Sequence, residues 1–173
     1  MRSVSFSKLT EILEPCDTHK YPEKTLLLLD PTEKTDTFLK YSEFDPGVIH
    51  LRPIIVQLHI EKSINKEDVV EQFRQKIVRG IKYGRPLVVC MENTAFEFKK
   101  NLPDWMYSAL ITKSGQGFLE DSILKKIWKE EDGECFPRPG FWILFTSRFE
   151  LEDIEEFLGN QLYLEKFEIV CIK

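Results

Sequence analysis

The sequence has no apolar run approaching the ~20 residues that a membrane-spanning helix needs. Its opening residues, Arg2-Ser3-Val4-Ser5-Phe6-Ser7-Lys8, lack the apolar core of a secretory signal. Positive charge is not in excess. Lys and Arg number 24 against 29 Asp and Glu, a net of −5, which argues against nucleic acid or an anionic membrane as partner. Cysteine is scarce, with 4 in the chain (Cys16, Cys90, Cys135 and Cys171), and no two form a CxxC pair. Cys90 and Cys171 fall inside apolar runs, so buried reduced thiols are expected rather than disulfides, as in a cytoplasmic protein. The 3 histidines, His19, His50 and His59, show neither i,i+4 spacing nor an HExxH pattern, so no metal site is expected. The G-x-S-x-G motif of a nucleophile elbow is missing, as are repeats, low-complexity tracts and an internal linker.

What is present describes a packed domain. In 173 residues, 42% are hydrophobic and 13 are Phe, which excludes disorder for most of the chain. That length suits one domain and can bury a core without a disulfide or metal. Residues 1–22 read as a peripheral segment whose Phe6, Leu9, Ile12 and Leu13 could form one amphipathic helix docking on the body. Residues 23–173 read as the core domain.

Five strand-like runs alternate with helical patterns. Thr25 to Leu29 is a continuous apolar run stopped by Asp30-Pro31, and a helix is expected from about Glu33 to Tyr41. The second strand lies within Val48 to Ile60, either Val48 to Leu51 or Ile54 to Leu58, with Pro53 between them. Asn65 caps a helix carrying Val69, Val70, Phe73, Ile77 and Ile81 at helical spacing, ended by Gly84-Arg85-Pro86. Arg74, Lys76, Arg79, Lys82 and Arg85, with Glu67 and Glu71 a turn away, read as its salt-laced exposed face. Leu87 to Met91 is a buried strand. Helical character returns at Asp104 to Ile111 and at Ile123 to Trp128, and Glu130 to Glu134 reads as a solvated acidic turn. Phe141 to Thr146 is the fourth strand, Leu151 to Leu158 a short acidic helix, and Phe167 to Ile172 the fifth strand. The pattern predicts an α/β fold with a mostly parallel five-stranded sheet and helices on both faces.

In such sheets ligands bind at the carboxyl ends of the strands. The first strand ends in Leu28-Leu29-Asp30-Pro31-Thr32-Glu33-Lys34-Thr35. Against the phosphate-binding pattern G-x-x-x-x-G-K-[ST], Lys34 and Thr35 fit, but Leu28 and Glu33 replace both glycines. Those glycines let backbone N–H groups wrap a phosphate; Glu33 would repel it, and Pro31 has no N–H to give. The third strand ends in Met91-Glu92, where magnesium-dependent ATPases place Asp-Glu. A thioether is a poor ligand for so hard an ion, which leaves Glu92 as a remnant or as a solvated, helix-capping carboxylate. Thr146 and Ser147 end the fourth strand, near a γ-phosphate if one were bound, or as simple turn residues.

The ordered set of segments resembles the fifth AAA+ module of the dynein heavy chain. That module opens on a strand and degenerate phosphate loop, "PLLIDPQGQAN", matched by Leu26 to Thr35. Its "G-x-P-x-L-x-E-N" strand is matched by Gly84-Arg85-Pro86-Leu87 through Glu92-Asn93, about two residues longer here. Its "F-R-L-Y-I-T-T-K" strand corresponds to Phe141 to Arg148, and a closing strand to Phe167 to Ile172. The resemblance spans roughly residues 24–172. Thr94-Ala95-Phe96-Glu97-Phe98 stands where the family has an acidic "GEELDP" run, and the family's helical lid is expected to be missing.

The resemblance implies a P-loop sheet in the order 5-1-4-3-2, with the strands ending in Asp30, Glu92 and Thr146 at its centre. It also implies a structural, non-hydrolysing module with protein partners, dynein or cytoskeletal components among them, and a cytoskeletal or ciliary place in the cytoplasm. No cofactor is then required. The alternative is an ATP- or ADP-binding module built on Asp30, Thr32, Lys34, Thr35, Glu92, Thr146 and Ser147. A third reading, an unrelated small α/β hydrolase, lacks a nucleophile–base motif.

Overall fold

Six parallel strands form the sheet among the described residues, and all but the first contain a short apolar run that cannot bury itself alone. The computed structural model describes residues 2–15 and 20–173; Cys16 and His19 lie outside the described residues. The strands are β1 (Arg2–Val4), β2 (Thr25–Leu29), β3 (Gly47–His50), β4 (Leu87–Cys90), β5 (Ile143–Ser147) and β6 (Phe167–Ile172). Their order across the sheet is β1-β6-β2-β5-β4-β3. The expected five strands in the order 5-1-4-3-2 are therefore corrected in number and in full order. The added member is β1, which pairs Arg2 with Val170 and Val4 with Ile172 along the outer edge of β6. Three residues of mixed polarity carry no strand signal of their own, so the pairing of β1 is a long-range event.

Helices cover both faces. On one face α1 (Leu9–Ile12) and α2 (Lys34–Tyr41) pack Leu9, Ile12, Leu13 and Leu39 onto Leu26, Leu28, Val88, Leu144 and Val170. The predicted N-terminal amphipathic helix is thus a 3-10 turn over Phe6–Lys8 followed by α1, with Leu9 and Ile12 buried. Next come α3 (Leu51–Ile55), continued by a π turn over Val56–Ile60, and α4 (Lys66–Tyr83). Of the two candidates for the second strand, the earlier one forms it. Ile54 to Leu58 is helical, because Pro53 falls in the first turn of α3, where a missing N–H costs nothing.

The remaining α-helices among the described residues include α5 (Phe98–Asn101), α6 (Asp104–Ile111), α7 (Asp121–Ile127) and α8 (Ile154–Leu158). The larger core lies between α3, α4, α6 and the other face of the sheet. There Phe73, Phe96, Phe98, Phe118 and Phe145 are all at most 1% exposed, which accounts for the high Phe content.

The start of α4 is set by a reciprocal cap. Asn65 Oδ1 accepts from the Asp68 N–H at 2.9 Å, and Asp68 Oδ2 accepts from the Asn65 N–H at 2.9 Å. Asn65→Ala is expected to lower stability by about 1 kcal/mol in denaturant unfolding. The helix ends at Gly84, whose φ of +63° is the left-handed cap glycine favours; a Cβ there would lie 2.1 Å from the Pro139 carbonyl oxygen.

Arg74 corrects the exposed-face reading of this helix. Lys76, Arg79 and Arg85 are exposed, but Arg74 is 5% exposed. Its guanidinium donates to Glu71 at 2.8 and 2.9 Å, to Asp132 Oδ2 at 2.5 Å and to the Ile127 carbonyl at 3.1 Å. The stretch predicted as a solvated acidic turn is a 3-10 turn over Glu130–Asp132, and its Asp132 is drawn in by Arg74.

Candidate functional site at the strand ends

The carboxyl end of β2 leads into a four-residue turn and then α2. Asp30, buried at 4% exposure, turns its carboxylate back into that turn. Oδ1 accepts from the Thr32 N–H at 2.9 Å and from the Thr32 hydroxyl at 2.5 Å, and Oδ2 accepts from the Thr35 N–H at 2.6 Å. Burial alone would push the Asp30 carboxyl up; the hydrogen bonds from Thr32 and Thr35 outweigh it and hold the carboxyl below its ordinary range. A carboxylate from the chain itself therefore satisfies N–H groups at a helix N-terminus, where an anion is otherwise favoured. Glu33, at a position the phosphate motif gives to glycine, has φ +64° and ψ +3°. The backbone keeps the left-handed turn that glycine makes easy, with a carboxylate carried on it.

Arg148, just past β5, ties the strand ends together. Its Nη1 lies 2.8 Å from Glu33 Oε1, its Nε 3.2 Å from Asp36 Oδ2, and its Nη1 4.0 Å from Glu92 Oε2. Burial opposes its charge, but Asp36, Glu33 and Glu92 more than compensate and hold the guanidinium firmly protonated. Glu92 also faces Arg52 at 3.5 Å. Its backbone is left-handed, with φ +50°, and its carbonyl accepts from the Arg148 N–H at 2.9 Å.

The sequence-predicted residues divide into three groups. Asp30, Thr32 and Thr35 meet directly. Thr146 donates to Asp36 Oδ1 at 2.7 Å, while Ser147 lies 3.4 Å from the Glu92 carbonyl oxygen and accepts from the Phe149 N–H at 3.2 Å. Lys34 is exposed at the start of α2, and its ammonium pairs with no carboxylate among the described residues. The Thr35 hydroxyl lies close enough to Asp30 to favour its charge, yet it is buried without an acceptor in hydrogen-bond geometry.

Sequence reasoning named Arg148 only as a strand-end residue and missed its partners Glu33 and Asp36, which come from another strand–helix unit. It also missed His50 beside Cys90. These two end β3 and β4 in direct register, on the sheet face that α2 covers. Burial pushes the Cys90 thiol up to about 11, helped by the negative charges of Asp36 and Glu92. A cavity of about 300 Å³ opens here, lined by Asp36, His50, Cys90, Glu92 and Arg148 among others. One cue in the sequence points to the pair: each residue lies one position before the end of a candidate strand, and ligands collect at the carboxyl ends of neighbouring parallel strands.

Fold and site together define an α/β protein with an open, all-parallel sheet and a charged cluster at the carboxyl ends of its strands. No known family model matches the chain, and no curated protein sequence matches it. No helix among the described residues is long and apolar enough to cross a membrane.

Proposed function

We propose that this chain is a non-hydrolysing module of the P-loop type, similar to the fifth AAA+ core of the dynein heavy chain, that works as a structural or protein-interaction unit. The observation that carries this reading is the Asp30 carboxylate lying on the Thr32 and Thr35 N–H groups. Those donors would otherwise hold a phosphate, and two like charges cannot share them. Met91 in place of a hard oxygen ligand and Arg148 engaged by Glu33 and Asp36 remove the remaining parts of a hydrolytic site. The left-handed turn kept at Glu33 supports descent from a phosphate loop. The net charge of −5 favours protein partners over nucleic acid or membrane. Dynein or cytoskeletal components, in the cytoplasm or a cilium, are the partners and place this likeness suggests.

One observation favours the second reading, a module that binds ATP or ADP. The orphaned Thr35 hydroxyl sits where the phosphate motif uses Ser or Thr to hold magnesium. Thermal unfolding followed through the 3 Trp, with and without millimolar ATP or ADP and magnesium, separates the two. We expect no upward shift and no ATP hydrolysis. At about 100-fold excess over Kd, binding would add about 2.7 kcal/mol, so a clear shift that disappears in Lys34→Ala would establish the second reading instead.

A further inference from the structure

We infer that His50, Cys90 and Glu92 form a binding site for a zinc-class divalent cation. Their ligand atoms all lie within 4.8 Å of one another, and no other group of three or more His, Cys, Asp or Glu among the described residues is so placed. The sheet builds the site. His50 and Cys90 are paired in register at the ends of adjacent parallel strands, so their side chains leave the same face. Glu92 follows Cys90 by two residues, and its left-handed backbone is fixed by the hydrogen bond from the Arg148 N–H. Strained non-glycine backbone of this kind persists where the surroundings hold it, and it concentrates at functional sites.

Donor chemistry selects the ion. A thiolate, an imidazole and a carboxylate suit zinc or cobalt, whereas magnesium and calcium want oxygen alone. Tetrahedral zinc needs donors roughly 3.3–3.8 Å apart, given metal–ligand distances of about 2.0–2.3 Å. Small side-chain rotations therefore close the set. His50 is exposed and free to turn, and the adjoining cavity of about 300 Å³ leaves the fourth position to water. On binding, the Cys90 thiol gives its proton to solvent, and Cys90 and Glu92 together neutralise the ion's two charges. The Arg52 partner of Glu92 is 69% exposed and swings into water at little cost. Arg148 stays neutralised by Glu33 and Asp36. This inference does not depend on the reading of the phosphate loop.

Cobalt titration of the full chain tests it. One equivalent of Co²⁺ is expected to raise a thiolate-to-cobalt charge-transfer band that zinc then displaces. The band should vanish in Cys90→Ser and survive simultaneous replacement of Cys16, Cys135 and Cys171 by Ser. His50→Ala, at an exposed position that leaves the core intact, should weaken binding by about 100-fold or more, since even supporting residues cost 10–100-fold. The same variant should lose the zinc-dependent rise in melting temperature. A band that persists in Cys90→Ser, a band that follows one of the other cysteines, or no band at all overturns the assignment. Each of these outcomes is independent of the nucleotide melt.

Discussion

Arg74→Ala is expected to lower the unfolding free energy by about 3 kcal/mol, read as a fall in denaturant midpoint at unchanged slope. The guanidinium is one buried point serving α4, the end of α7 and the acidic turn beyond it. Its loss leaves the Ile127 carbonyl without that donor and sets Glu71 and Asp132 facing one another. Removing one partner of a buried pair costs about 3–5 kcal/mol. The lower end applies here because the Glu71 and Asp132 side chains are 34% and 15% exposed and can rehydrate. Arg74→Lys should recover only part of the loss, because an ammonium is a point charge and cannot fork to three acceptors.

The same cluster sets an acid limit. The hydrogen bond from Arg74 is the largest cause that draws the Glu71 carboxyl from 4.5 down to about 2. For Asp132, burial pushes upward but the bonds from Arg74 and the Lys129 N–H hold it below its ordinary range. A carboxyl lowered in the folded state contributes stability that is complete above its unfolded value and is lost as pH falls through the folded one. Wild type should therefore lose stability progressively between pH 4.5 and about 2. Arg74→Ala should show a shallower fall over that window, measured as the melting temperature against pH.

Asp30→Ala is expected to cost about 2–3 kcal/mol. The Thr35 N–H is buried and loses its acceptor outright, while the exposed Thr32 N–H can turn to water. Asp30→Asn should help little. Its amide oxygen can serve Thr32, but its NH2 group then meets the Thr35 N–H donor to donor. Because Asp30 is held below its ordinary range, its contribution also fades as pH falls, so the wild type and Asp30→Ala should converge in stability at acid pH. Equal stability of the two proteins at neutral pH would remove the anion-mimic account of this turn.

Elements governed by local chemistry were legible in the sequence. The Leu26 to Leu29 run, the Asn65 cap, the Gly84 stop and the Phe167 to Ile172 strand each carry their signal within a few residues. Features that depend on distant partners were hidden. β1 is three residues long and is a strand because β6 lies beside it. Arg74 looked like one more surface cation until Asp132 was brought to it from 58 residues away. At the site, the spacing from Asp30 to Thr35 drew attention to the turn, but the inward bend of Asp30 is a conformational fact that no motif records. His50 and Cys90 become neighbours through sheet register, which a single sequence does not print.

The pairing of β1 with β6 also has a consequence in time. Residues 2–4 emerge from the ribosome first among the strands, and their partner, Phe167–Ile172, emerges last. At about 5–20 residues per second, the first strand waits on the order of 10–30 s for its seat. Until β6 has emerged, β1 and β2 both lack the neighbour that lies between them, and their open edges are free to pair wrongly.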